Sequence, residues 1–434
     1  MLLIHEDKKL KTHQITMPIK LAAFFIPATF FAPQAMAAIS ITDECKNSTA
    51  NSLTEMFTCG SVSGNLRSLY YSTHNAYFVP GLSQDTISYG GSLNYATADY
   101  YGFSLGTSAI LQRGIDHDND HLVSELGPNQ TAIGEAYLRW RDEDFSITAV
   151  NQRINLPFVG DYDWRITPIL FRGIDMNYGD SENFLHATRI TRYKSWGDEH
   201  FHKTTAYDEA EGKTNGMWAI GGGRSLNIND KKLIGQLWYE NYDEYTKLFY
   251  SDGFLSWLNS DRQPKLGAQF IRGVSEGKAL AGEVNSTSYG IQFSMNIIST
   301  LAWSLNYDHI AASGSSYGNG SLVTPYAHNT ASGPYFAQPF FTSTQDLGSG
   351  NAYSTDLNRQ AGEQLSLGSR YSFMDLTPVA GAGSRNQSEY LVYGTWRFGG
   401  ILKGFSISDF AGVQTASNSD KNFWQNRLAL EYAF

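Results

Sequence analysis

Five arginines, Arg67, Arg139, Arg370, Arg397 and Arg427, each occupy the polar phase of a stretch that alternates apolar and polar residues. In NFWQNRLALEYAF (residues 422 to 434), Trp424, Leu428, Leu430, Tyr432 and Phe434 share one phase, and Phe423, Gln425, Arg427, Ala429 and Glu431 the other. Glu135 lies in the same phase as Arg139. A guanidinium stays charged at every physiological pH and grips a carboxylate through two donors. Such a row suits the binding of an anionic group rather than the making or breaking of bonds. A second constellation lies in RINLPFVGDYDWRITPILFR, residues 153 to 172. There Arg153, Asp161, Asp163, Arg165 and Arg172 surround Tyr162 and Trp164. Across a narrow passage, acids set against bases create a transverse field that orients zwitterions. The plainer alternatives are arginines that only stiffen a wall by pairing with acids, and a surface loop laced by ion pairs.

Other chemistry finds little support. The chain has ten histidines, and none stands beside a nucleophile or acid in a catalytic motif. The acidic run from Asp116 to Asp120 lacks the spacing of a calcium loop. Gly221, Gly222 and Gly223 sit in a strand pattern with no helix after them, so a phosphate loop is excluded. No metal site and no cofactor is expected. Cys45 and Cys59 are the two cysteines. In an oxidising compartment they would pair, worth roughly 3 kcal/mol for a loop of about 15 residues; two unpaired thiols are the alternative reading.

The elements that must carry these side chains are strands. About 17 alternating runs follow one another, from SVSGNLRSLYY at residue 61 to the terminal stretch, each near the roughly 9–11 residues that a tilted spanning strand needs. Aromatic residues make up 14% of the chain, with 26 Tyr and 25 Phe, which suits a pleated surface with interfacial girdles. After residue 37 no run of about 18 residues is continuously apolar, so any membrane crossing must be made by a closed antiparallel β-barrel. The expected fold is all-β: a transmembrane barrel of about 18 strands, with 16 possible, over residues 61–434. At that size the bore is an aqueous channel. Tight connections alternate with long ones at 112–129, 152–172 and 311–362. Residues 321–358 are polar, aromatic and Gly-rich, fit either to gate the bore or to lie passively outside it. Ser52 and Glu55 form a capping-box pattern for one helical turn within a short N-terminal segment, 38–60.

Residues 1–37 read as a secretory signal peptide, with Met17 as an alternative start and Ala35-Met36-Ala37 as the cleavage site. Its removal takes away four lysines and two acids, moving the net charge from −10 to −12. An acidic chain does not fit a nucleic-acid partner. A strand that ends on Phe434 is expected to pair with the first strand and close the barrel.

EMFTCGSVSGNLRSLYYS (55–72) resembles the start of the OprD-type family of outer-membrane porins. AYLRWRDEDFSITAVNQRINLPFVGDYDWRITPILFRGIDMNYG (136–179) is similar to that family's segment carrying an inward-folded third loop. The matching features are Pro157, Asp163 to Arg165, Pro168 and Phe171-Arg172-Gly173. The resemblance implies an 18-stranded channel in the outer membrane of a Gram-negative bacterium, set among lipids and lipopolysaccharide. It also implies a homotrimer, assembly by the barrel-assembly machinery, and passage of amino acids, peptides, carboxylates or short sugars. The constriction is then residues 152–172, and Arg67, Arg139, Arg370, Arg397 and Arg427 form a basic wall that guides anions. Two other classes compete: an outer-membrane barrel enzyme and a secreted soluble β adhesin.

Overall fold

The computed structural model describes residues 39–40, 49–115, 123, 126–207, 212–328, 330, 333–378 and 385–434. Residues 1–37, Cys45 and the acidic run 116–120 lie outside them. Nineteen strands join in one sheet. The shortest, Ile39–Ser40, only extends the start of the next strand through Val62 and Ser61. The other eighteen are β1 (Ser61–His74), β2 (Gln84–Ala96), β3 (Phe103–Ile115), β4 (Gln130–Asp142), β5 (Phe145–Gln152), β6 (Leu170–Gly179), β7 (Phe184–Lys194), β8 (Met217–Ile228) and β9 (Lys231–Tyr242), followed by β10 (Thr246–Trp257), β11 (Lys265–Ser275), β12 (Asn285–Ile298), β13 (Leu301–Ile310), β14 (Gly350–Ala361), β15 (Leu365–Leu376), β16 (Gln387–Arg397), β17 (Phe405–Ala416) and β18 (Phe423–Ala433). Each pairs antiparallel with its neighbours in sequence. β18 returns to pair with β1 from Trp424↔His74 to Ala433↔Asn65, which closes the cylinder and leaves no open edge.

The alternation read from the terminal stretch is what the barrel uses. Trp424, Leu428 and Leu430 face outward and are exposed, while Gln425, Arg427 and Glu431 are buried inside. Outward rings gather near both strand ends. Phe103, Trp140, Tyr178, Trp396 and Tyr432 lie toward the short turns, and Trp218, Tyr289, Tyr353, Tyr390 and Trp424 toward the long loops. Such girdles suit the two interfaces of a membrane. Turns such as 143–144, 229–230 and 299–300 are tight, whereas 116–129, 153–169, 195–216 and 311–349 on the opposite rim are long.

The sequence yields about 17 runs because β14, GNAYSTDLNRQA, hides inside the stretch read as a loop over 311–362. Only Tyr353 and Leu357 are strongly apolar on its outer face, so alternation alone misses it. The loop therefore ends at 349. The bore also differs from a simple water-filled tube. Ile154, Phe158, Val159 and Ile169 of one loop and Leu322, Val323, Tyr326 and Tyr335 of another pack against Phe171, Tyr193, Tyr242 and Tyr250 of the wall. Apolar loop residues thus fill much of the loop-side half and leave a narrower path.

Before β1, the helix α1 (Leu53–Thr58) forms as expected from its cap. Ser52 accepts the Glu55 N–H at 3.1 Å. The Glu55 carboxylate reaches back to Asn51 N–H at 2.8 Å, one residue before the N-cap. Cys59 terminates α1 and is not a free thiol.

Candidate functional site

Loop 153–169 leaves β5, dips into the bore and returns as β6. Tyr162, at φ 37°, turns the chain sharply. This is a strained conformation for a residue with a side chain. Flanking it, Asp161 and Asp163 both meet Arg153, whose Nη1 donates to Asp161 at 3.1 Å and to Asp163 at 2.8 Å. Two further contacts hold the turn: Trp196 Nε1 donates to the Tyr162 carbonyl at 2.9 Å, and Asp161 N–H donates to Asn155 at 3.0 Å.

From this turn an alternating chain of charges spans the loop and the wall. Arg67 of β1 donates to Asp163 at 2.7 Å, to the Arg165 carbonyl at 2.6 Å and to Glu431 of β18 at 2.9 Å. At the other end, Arg153 Nε lies 3.6 Å from Glu135 of β4. Four carboxylates thus share two guanidiniums. Burial by itself pushes the Asp163 carboxyl up, but Arg67 and Arg153 outweigh it and hold it down at about 2. Asp161 goes the other way: burial raises it, Arg153 opposes this, and the nearby Asp163 adds to the rise. Burial lowers Arg153, yet Asp163, Asp161 and Glu135 together raise it above its usual value.

Next to this chain lies a cavity of about 670 Å³, bounded by the loop and by β6, β7, β9 and β10. Asp161, Tyr162, Trp164, Phe184, Trp238 and Tyr250 are among its lining residues. His186 also faces it, bonded to Asp175 at 2.6 Å and set beside the Trp238 ring. The far side is bounded by Gly333 and Pro334 of loop 311–349. Gly221, from the glycine run, backs onto Trp238: a Cβ there would lie 2.2 Å from the indole.

The residues expected from the sequence are only partly brought together. Arg153, Asp161, Asp163 and Arg165 meet at the inward turn of loop 153–169, which narrows the bore to an eyelet, and Arg67 joins them from the wall. Arg165 also places its guanidinium between the rings of Tyr71 and Trp196. Arg172 instead bonds Asn151 at 2.7 Å and lies over Phe201, tying down loop 195–216. Within the expected basic wall, Arg67 is committed to Asp163 and Glu431, and Arg370 to Asp356 at 3.2 Å. Arg427 lies over Tyr71 and Phe410. Arg139 bonds Thr148 at 3.1 Å, and Arg397 at the turn end of β16 bonds Ser366 at 3.1 Å. Sequence reasoning missed Glu431, Asp308, Asp356 and Glu389. Each occupies the inward phase of its strand, so parity was the signal that could have found them.

The model of the OprD family of outer membrane porins matches residues 128–434. The chain belongs to this family. Solved porins share its architecture. The BenF-like porin from Pseudomonas fluorescens Pf-5 is 14% identical, with 87% of this chain and 99% of that one covered at a TM-score of 0.75. OccAB2 of Acinetobacter baumannii is 15% identical over 88% and 99%, at 0.72. OccK3 (OpdO) of Pseudomonas aeruginosa is 17% identical over 88% and 97%, at 0.69. No curated protein matches the chain. This OprD-family porin is an integral protein of the Gram-negative outer membrane, surrounded by lipid, through which small solutes pass. Its family and structural neighbours are channels, not enzymes.

Proposed function

We propose that this porin passes small zwitterionic or amine-bearing solutes, such as amino acids and short peptides, in preference to dicarboxylates. The observation that carries the reading is the charge left facing the path. Arg67 and Arg370 are buried in ion pairs, their side chains 2% exposed, whereas Asp161 and Glu135 keep 22% and 19% of theirs exposed beside Arg153, itself 26% exposed, which sets two carboxylates against one guanidinium. An ammonium group entering the cavity meets carboxylates and the π faces of Trp164 and Trp238, both of which attract cations. Arg139 and Arg397 on the wall supply the opposite pole for the carboxylate end.

The test is the reversal potential of single channels in a salt gradient, together with liposome swelling in lysine, alanine and succinate. Cation preference and uptake in the order lysine, alanine, succinate are expected. A channel that prefers chloride and swells fastest in succinate overturns the reading in favour of the arginine wall. In that case, neutralising Arg397 and Arg427 should abolish the anion preference.

We also propose a homotrimer, delivered by the barrel-assembly machinery. Asp409 and Asn426 face outward from β17 and β18 and bond each other at 2.8 Å. A carboxylate on the lipid face costs about 2 kcal/mol or less for an acid at depth, and contact with a second copy would shelter it. Crosslinking in detergent that gives only monomer would exclude this arrangement. The 1–37 signal peptide and a Cys45–Cys59 disulfide stand as further proposals.

A further inference from the structure

Residues 336–341 of the long loop, Phe336-Ala337-Gln338-Pro339-Phe340-Phe341, are all buried within the barrel. Backbone polar groups in such a place must find partners. Here they find charged side chains from three separate wall strands. Asp308 of β13 accepts the Ala337 N–H at 2.6 Å. Glu389 of β16 accepts the consecutive N–H groups of Phe340 and Phe341 on its two oxygens, at 2.7 and 2.9 Å. Arg370 of β15 donates to the Phe336 carbonyl at 2.7 Å. Asp308 also takes Gln269 at 2.6 Å, and Tyr335 is hydrogen-bonded to Ser288 at 2.8 Å. The chain just before this segment is Gly333 and Pro334, the far wall of the eyelet cavity.

We infer that Asp308, Arg370 and Glu389 are positioning residues that set the width of the solute path by strapping residues 333–341 to the wall. The inference rests on the eyelet cavity being that path. Apolar packing lets a segment slide, whereas a charge-assisted bond to a backbone amide fixes it at one register and is roughly twice as strong as a neutral one. Glu389 suits the task because one carboxylate holds two adjacent amides. A glutamine there would offer one acceptor and would turn its own N–H₂ donor toward the second amide.

The experiment records single-channel conductance and the largest oligosaccharide admitted by liposomes for Glu389→Gln, Asp308→Asn and the double variant. Heat-modifiable gel mobility serves as the check that the barrel has formed. The double variant is expected to conduct about twofold more or better and to admit larger sugars, with unchanged gel mobility. Glu389→Asp, which keeps the charge, should recover part of the parental conductance. In a barrel whose residues 335–342 are replaced by a short Gly-Ser linker, Glu389→Gln should add nothing. Parental conductance in the folded variants, or an equal rise from Glu389→Gln in the linker background, overturns the inference; the single variants carry the test where the double does not assemble. Reversal potential reports the eyelet charge separately, so the strap can fail while the solute class stands, and the reverse.

Discussion

At the scale of single residues, Arg67 shows how a side chain's role is decided by what reaches it. Its inward phase is local, but both acids it binds arrive from elsewhere: Asp163 from the loop and Glu431 from the last strand. Arg67→Ala leaves Glu431 without its cation and Asp163 with Arg153 alone; removing one partner of a buried pair typically costs about 3–5 kcal/mol. A lower unfolding midpoint in detergent is expected, partly restored by adding Asp163→Asn and Glu431→Gln. Acid should act on the eyelet in two stages. The Asp163 carboxyl is depressed to about 2 from its usual 3.8, so its contribution to fastening the loop is full above the unfolded value and disappears as pH falls through about 2. Asp161 is shifted upward by burial and takes its proton first. Mild acidification should therefore weaken cation preference while the loop stays fastened. Reversal potentials measured down a pH series, with protease resistance of the loop in parallel, test that order. Asp161→Asn should reproduce the selectivity loss at neutral pH.

Among the elements, strands whose outer face is strongly apolar declare themselves, and β14 does not, because its outward Tyr353, Thr355 and Leu357 alternate with Ala352, Ser354 and Asp356 in a mostly polar stretch. Its place is fixed by hydrogen bonding to β13 and β15 on both sides, a cooperative effect that no single-strand pattern records. The helix α1 was legible for the opposite reason: a cap is a contact between near neighbours. Ser52→Ala should cost about 1 kcal/mol locally, seen as faster amide exchange over 53–58 with the barrel unaffected. The strand glycines are a packing device. Gly221→Ala should displace the Trp238 ring from the cavity wall and change conductance without changing the gel mobility of the folded barrel.

For the whole molecule, closure is the governing event. With β18 paired to β1, the described strands form a closed ladder with no open edge in the hydrocarbon; a chain lacking 423–434 exposes two edges and should fail to give a heat-modifiable band. By itself the sequence determined the all-β class and the outward and inward faces, which follow from a two-residue period and from composition, both local properties. The inward fold of the third loop and the outer-membrane setting came from the resemblance to the OprD-type family, because composition and period alone fit a surface loop and a soluble β protein as well. Only the tertiary structure decided which inward charges remain for a solute. The partners of Arg67 lie 96 and 364 residues away, and those of Glu389 lie 49 and 48 away. Whether an arginine greets an anion or is neutralised in the wall depends on loops that fold inward from distant parts of the chain, because their apolar residues are buried more favourably against the barrel interior than in water.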